Sequence, residues 1–201
     1  LLAAVVGIST PALAAHGSAS ASDLRTGYNA LLAEHVFLAA AATNAALGGR
    51  QAEFEAAAAA LDGNSQDIAT SIGSVYGADA EKAFLPLWRK HIGMAVDYTV
   101  GLATKDKAKQ DKAVADLMVY TDDFGAFLAA ANPNLPKAAV ADLEKHHVVA
   151  LKEVIDVQAA GAQAKAWKGV RTAAAHMGKI ADPLAAAITK QFPNRFASVE
   201  R

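Results

Sequence analysis

Three of the six histidines in this chain lie 56 residues apart, at His35, His91 and His147. A neutral imidazole is a good ligand for zinc, copper and nickel, so rings brought to one level of a core could hold an ion. In each case a leucine stands four residues before the histidine. A fixed period of this length is typical of chains built from repeated units, each of which would carry one histidine.

A second polar column follows the same period, with Asn64, Tyr120 and His176 each 56 residues apart. All three side chains can form hydrogen bonds with an imidazole ring. The third unit has two aligned imidazoles, so His147 and His176 could ligate one ion from facing helices. The predicted ligands of a copper or zinc ion are His35, His91, His147 and His176. The alternative is structural, because a buried histidine that bonds Asn or Tyr helps to fix which helix faces meet.

The elements that would position these residues are predicted to be α-helices. Hydrophobic residues make up 53% of the 201 residues, and alanine runs such as 56–60 favour closely packed helices over strands. The pattern predicts an all-α protein of three tandem hairpins, at 24–79, 80–135 and 136–191, with six main helices. The pattern does not determine whether the hairpins form a closed bundle or a short array. The histidines fall on rows of apolar residues spaced by seven, which indicates that they point inward.

Breaks between the predicted helices occur at matching places in each unit. Gly48-Gly49 ends the first helix, since glycine tolerates the left-handed cap conformation. Residues 104–106 and 160–162 occupy the equivalent positions. Pro86 and Pro183 are expected to kink or restart their helices.

Composition argues against several classes of function. Nineteen basic and 20 acidic residues nearly balance, without a basic stripe, so we expect no nucleic-acid partner. The chain has no cysteine, which excludes disulfides and thiolate ligands. Glu144 precedes His147 with the Glu-x-x-His spacing of di-iron bundles, but its column otherwise holds Leu32 and Trp88, which argues against such a centre. No phosphate loop or nucleophile motif occurs, so we predict a protein that is not an enzyme.

The N-terminal residues resemble a secretory signal. Residues 1–14 are apolar and end in small residues suited to signal peptidase, and a low-complexity linker at 15–23 follows. The remaining domain is predicted at 24–196. Later apolar runs are interrupted by charges, so no transmembrane span is expected in the mature chain. These features predict export to the periplasm, the cell envelope or the medium.

Five segments of the chain form a recognisable set: Leu-Leu-Ala-Glu-His at 31–35, Leu-Trp-Arg-Lys-His at 87–91, Ala-Phe-Leu at 126–128, Asn-Pro-Asn-Leu-Pro at 132–136, and the ending at 188–196. These segments resemble a group of exported bacterial proteins of this length, often labelled copper amine oxidases or hypothetical. The resemblance covers nearly all of residues 24–196, and an association with copper would rest on the histidines and not on the label. Amine oxidases make their cofactor from the tyrosine of an Asn-Tyr motif, within a large β-rich fold. Here the four tyrosines follow Gly27, Val75, Asp97 and Val119, so amine oxidation is rejected.

Together these patterns predict an exported, non-catalytic protein that binds a transition metal through inward-facing histidines. The alternative is a structural or protein-interaction component of the cell envelope, in which the histidines only stabilise the core. The sequence leaves the oligomeric state open.

Overall fold

A computed structural model describes residues 20–196, so the signal-like segment predicted at 1–14 lies outside the described residues. Within this range the chain forms seven α-helices, a short 3-10 helix and no strand, which confirms the all-α prediction. The helices are α1 (Ala21–Leu47), α2 (Gln51–Tyr76), α3 (Ala78–Ala103), α4 (Lys107–Ala131), α5 (Lys137–Ala159), α6 (Gln163–His176) and α7 (Gly178–Gln191), and Pro193–Arg195 forms the 3-10 helix.

The three hairpin loops share one geometry at the predicted breaks. Gly49, Lys105 and Gly161 all adopt left-handed backbone conformations, with φ of 67°, 57° and 74°. In each loop this residue donates its N–H to the carbonyl three residues earlier, and the next residue donates to the carbonyl five residues earlier. This is the Schellman arrangement, which satisfies carbonyl groups at the end of a helix. It turns the chain back after α1, α3 and α5.

The hairpins close into a bundle and do not extend in a line. The first helices of the three hairpins, α1, α3 and α5, contact one another. The gap between α1 and α3 is covered by α2, and the gap between α3 and α5 by α4. The last gap, between α5 and α1, is covered by α6 and α7. One residue from each of the three inner helices can therefore reach a common centre.

Polar contacts fasten the third hairpin to the first. The Asp182 carboxylate of α7 accepts hydrogen bonds from Arg25 Nε at 2.7 Å and Asn29 Nδ2 at 2.8 Å, both on α1. In the interior, Gln158 of α5 donates to the Ala40 carbonyl at 2.9 Å and accepts from the Thr43 hydroxyl at 2.8 Å. Since Thr43 and Gln158 are both buried, these two bonds satisfy groups that would otherwise be costly to desolvate.

Two helix boundaries differ from the prediction. Helix α1 begins at Ala21, three residues before the predicted domain start at 24, because Ser20 and Asp23 form a reciprocal capping box. The second helix of the third hairpin is divided at Met177 into α6 and α7, whereas Pro183 lies inside α7. Helix α3 continues through Pro86 without a break.

Helix α1 is by length and composition apolar enough to cross a membrane. Its sequence nevertheless contains Asp23, Arg25 and Glu34, so charged residues interrupt this apolar run as well. In the fold, α1 packs against α2, α3, α5, α6 and α7, and this central position accounts for its apolar composition.

Candidate metal centre

The centre of the bundle is occupied by three histidine side chains. His35 lies on α1, His91 on α3 and His147 on α5, and each is at most 2% exposed. They belong to the row of residues that faces the interior in every inner helix, as the sequence predicted. The fully buried rows are Tyr28, His35 and Ala42; Phe84, His91 and Tyr98; and Val140, His147 and Val154. The neighbouring leucine row, with Leu31, Leu87 and Leu143, is only partly buried.

The three imidazole rings form a nearly equilateral cluster. The ring centroids of His35 and His91 are 5.3 Å apart, those of His35 and His147 are 5.6 Å apart, and those of His91 and His147 are 6.3 Å apart. One ring nitrogen from each histidine lies within 4.8 Å of the other two. The rings therefore converge on one point from three helices.

The spacing suits a single transition metal ion. Two imidazole nitrogens bound at about 2.0–2.1 Å to a tetrahedral ion are about 3.3 Å apart. The Nε2 atoms of His35 and His91 are 3.3 Å apart, so this pair already has the required separation. The His147 nitrogen lies within 4.8 Å of the other two and would have to move closer to complete a three-nitrogen site. Three histidines leave the fourth position of a tetrahedral ion for another ligand.

Burial keeps the imidazoles in the neutral form that binds metals. Loss of solvation lowers the pKa of His91 to about 3 and that of His147 to about 4. The pKa of His35 is lowered well below 6.5, first by burial and then by the neighbouring His91 and His147. The lone pairs of all three rings are therefore available at neutral pH without loss of a proton.

Most of the ring nitrogens have no hydrogen-bond partner within residues 20–196. The His35 and His91 Nε2 atoms can share one hydrogen bond, in which one donates and the other accepts. Nδ1 of all three histidines, and Nε2 of His147, are buried and make no hydrogen bond of ordinary geometry. Such atoms normally cost free energy, whereas a bound metal ion would engage one nitrogen of each ring.

The polar column predicted to face the histidines contributes packing and no hydrogen bond to them. Tyr120 stacks on His91, with ring centroids 5.0 Å apart and planes 29° apart. Asn64 instead donates to the Leu31 carbonyl at 3.0 Å and to Glu34 at 2.9 Å. Asn64 and Tyr120 therefore do not form the hydrogen bonds to histidine that the structural alternative expected.

His176 stands apart from the three-histidine cluster. It is half-buried at the end of α6, and its ring lies 5.9 Å from that of the exposed His146 on α5. It contributes to the low pKa of His147 but does not join the group that could share an ion. The sequence aligned His176 correctly with Asn64 and Tyr120, yet this column lies on the second helices, outside the innermost layer.

Glu144 is a buried acid that the sequence analysis treated only as evidence against a di-iron centre. It is 1% exposed and is the one buried carboxyl group in the described part of the chain. Its Oε1 atom lacks a hydrogen-bond partner there, and burial raises its pKa to about 8. The available signal was its column, because the equivalent residues Leu32 and Trp88 are core residues in the other hairpins.

Comparisons with protein-family models, curated proteins and solved structures find no match to this chain.

Proposed function

We propose that the protein is a non-catalytic binding protein that holds one copper or zinc ion through His35, His91 and His147. The observation that carries this proposal is the convergence of three buried ring nitrogens within 4.8 Å of one another. Copper(I) and zinc both accept imidazole ligands, and neither requires an anionic ligand in the first coordination sphere. The export predicted from residues 1–14 would place this binding outside the cytoplasm.

The competing function is that of a structural or protein-interaction component of the envelope. The 3.3 Å contact between His35 and His91 favours it, because that distance also suits a hydrogen bond between one protonated and one unprotonated Nε2. In this case His147 would be a packing residue, and a metal ion would have no effect on the fold.

The two functions are separated by adding Zn²⁺ or Cu⁺ to metal-free protein and measuring stoichiometry and thermal stability. Binding of one ion per chain, at 100 times its dissociation constant, should stabilise the fold by about 2.7 kcal/mol and raise Tm by roughly 5–10 °C. His91→Gln should abolish both the uptake and the increase in Tm, and should do so while retaining a polar side chain of similar size.

His176→Gln is the matched control, because His176 lies outside the cluster and its replacement should leave one ion bound. If His91→Gln does not fold, His147→Gln tests the same site from another helix. The structural function is favoured if neither ion changes the Tm of the wild-type protein. It is also favoured if the folded His91→Gln and His147→Gln variants still bind one ion.

A further inference from the structure

A cavity of about 210 Å³ lies between α1, α2 and α3, beside the histidine cluster. Its inner end is formed by the rings of His35 and His91. Its walls are apolar and include Phe54, Leu61 and Leu151. Val96 and Val100 also line it and are 37% and 41% exposed, so an apolar opening connects the cavity with the surface.

The 56-residue spacing offers a reason why this cavity is larger than its counterpart in the second hairpin. The equivalent space between α3, α4 and α5 has only about 90 Å³ and is lined by Tyr98. Ala42 is the residue 56 positions before Tyr98, and Val154 is the residue 56 positions after it. The small side chain of Ala42 thus leaves room that the larger Tyr98 side chain takes up in the second hairpin.

The polar groups around the cavity are already engaged or uncharged. The Thr99 hydroxyl donates to the Ala95 carbonyl at 2.8 Å, and the Thr43 hydroxyl donates to Gln158 at 2.8 Å. None of the described residues that line the cavity is a lysine, arginine, aspartate or glutamate. A charged ligand would lose its hydration without compensation here, whereas an apolar one would lose nothing.

We propose that this cavity binds a small uncharged apolar molecule, up to the size of a single six-membered ring, against the edges of His35 and His91. An apolar cavity of about 150 Å³ engineered into another protein stays dry and binds benzene or xenon. The cavity here is also lined mainly by apolar side chains and has more room, and it opens to the surface beside Val96 and Val100. The proposal does not depend on a metal ion, since the ligand is held by the walls.

The test uses metal-free protein, with xenon followed by ¹²⁹Xe NMR and benzene followed by amide chemical shifts. Both probes should bind saturably and shift resonances of residues around Ala42 and Leu61. Ala42→Phe supplies the ring that Tyr98 supplies in the second hairpin, and it should weaken both probes at least about tenfold. Ala30→Phe places the same ring on the exposed face of α1 and should leave binding unchanged.

Ala42→Val introduces the residue found in the third hairpin and should weaken the binding of both probes several-fold. If Ala42→Phe does not fold, Ala42→Val provides the test of the cavity. The proposal is overturned if neither probe binds the wild-type protein, or if folded Ala42→Phe and Ala42→Val bind as tightly as wild type. Because no metal is present, either result leaves the proposed metal centre untouched.

Discussion

Lys105 adopts a backbone conformation that its side chain disfavours. Its φ of 57° lies in the left-handed region, where Cβ crowds the following carbonyl group. Gly49 and Gly161 occupy the same position in the other two hairpins and have no Cβ. The loop between α3 and α4 therefore has the same geometry as the other two loops, but the conformation of Lys105 costs conformational free energy.

Replacing this lysine by glycine should stabilise the protein. Lys105→Gly removes the crowding, and after the larger entropy of glycine in the unfolded chain is subtracted, we expect a gain of about 0.5–1 kcal/mol. Urea denaturation would measure it. Lys105→Ala, which keeps Cβ, should give no such gain, and equal stability of the two variants would contradict this explanation.

Glu144 should make the protein less stable as the pH rises. Its folded pKa of about 8 lies above the usual value of 4.5, so the folded state holds one more proton than the unfolded state between these values. Stability contributed by this difference is lost as pH rises through that interval. Glu144→Gln removes the ionisation and should stabilise the protein by up to about 3 kcal/mol at pH 7, with little effect near pH 4.5.

Denaturation curves at pH 4.5 and pH 7 would detect this difference. Glu153→Gln, on the exposed face of the same helix, should change stability by less than about 0.5 kcal/mol at either pH. An equal effect of Glu144→Gln at both pH values would show that the Glu144 carboxyl group titrates alike in the folded and unfolded states.

Helices α4 and α5 pack closely against each other at Gly125. A Cβ atom added there would lie 2.6 Å from the Lys137 carbonyl oxygen and 3.1 Å from the Ala141 Cβ. The equivalent residues in the other hairpins, Ala69 and Ala181, are alanines, so the tight contact is particular to the second hairpin. It occurs where α5 begins.

Gly125→Ala should destabilise the protein by about 1–3 kcal/mol, because the backbone of α5 must move to admit the methyl group. Gly27→Ala is the matched control on α1, where an added Cβ meets nothing within 4 Å. It should stabilise the helix by up to about 1 kcal/mol, since alanine is the better helix former. Thermal denaturation of both variants would measure these changes in stability. If Gly125→Ala leaves the stability unchanged, α4 and α5 do not pack as closely at this position as the structure indicates.

The 56-residue period predicted the inner helices well because helix ends and buried rows depend on residues that are close together in the sequence. A left-handed cap at Gly49 and a buried row around His35 both follow from residues within a few turns of one another. The division at Met177 was not predicted, because an expected kink at Pro183 does not fix the turn in which a helix breaks. Glu144 was not predicted as a core residue because an acidic side chain is normally expected on the surface.

At the scale of the whole molecule, closure of the bundle could not be predicted from the spacing. A repeat specifies that units resemble one another, but the angle between successive units decides between a line and a ring. Contacts such as Arg25 with Asp182, 157 residues apart, carry no local pattern in the sequence. Closure is also what joins the histidines, since His147 reaches His35 only when α5 packs against α1. Three of the four predicted ligands therefore lie in the cluster and His176 does not, and the geometry that joins the three could not be predicted from their spacing.

The same closure should make the metal-free protein sensitive to acid. His35, His91 and His147 are neutral in the folded state well below pH 6.5, whereas in the unfolded chain they take up protons as pH falls through 6.5. The unfolded state then binds up to three more protons, so the stability present above pH 6.5 is lost as pH falls toward about 4. The largest slope is about 1.4 kcal/mol per pH unit for each histidine.

Glu144 has the opposite sign between pH 4.5 and 8, so it offsets about one of these three protons and places maximal stability near pH 6.5–7. Urea denaturation of metal-free protein at steps from pH 5 to 8 would show the maximum. His91→Leu should reduce the acid-side slope by about 1.4 kcal/mol per pH unit, because one imidazole no longer titrates. A bound metal should raise the stability by a nearly constant amount over this range, because the folded imidazoles carry no proton for it to displace until the pH approaches their own low pKa values. A stability profile that is flat from pH 5 to 7 without metal would mean that water reaches the three rings in the folded protein.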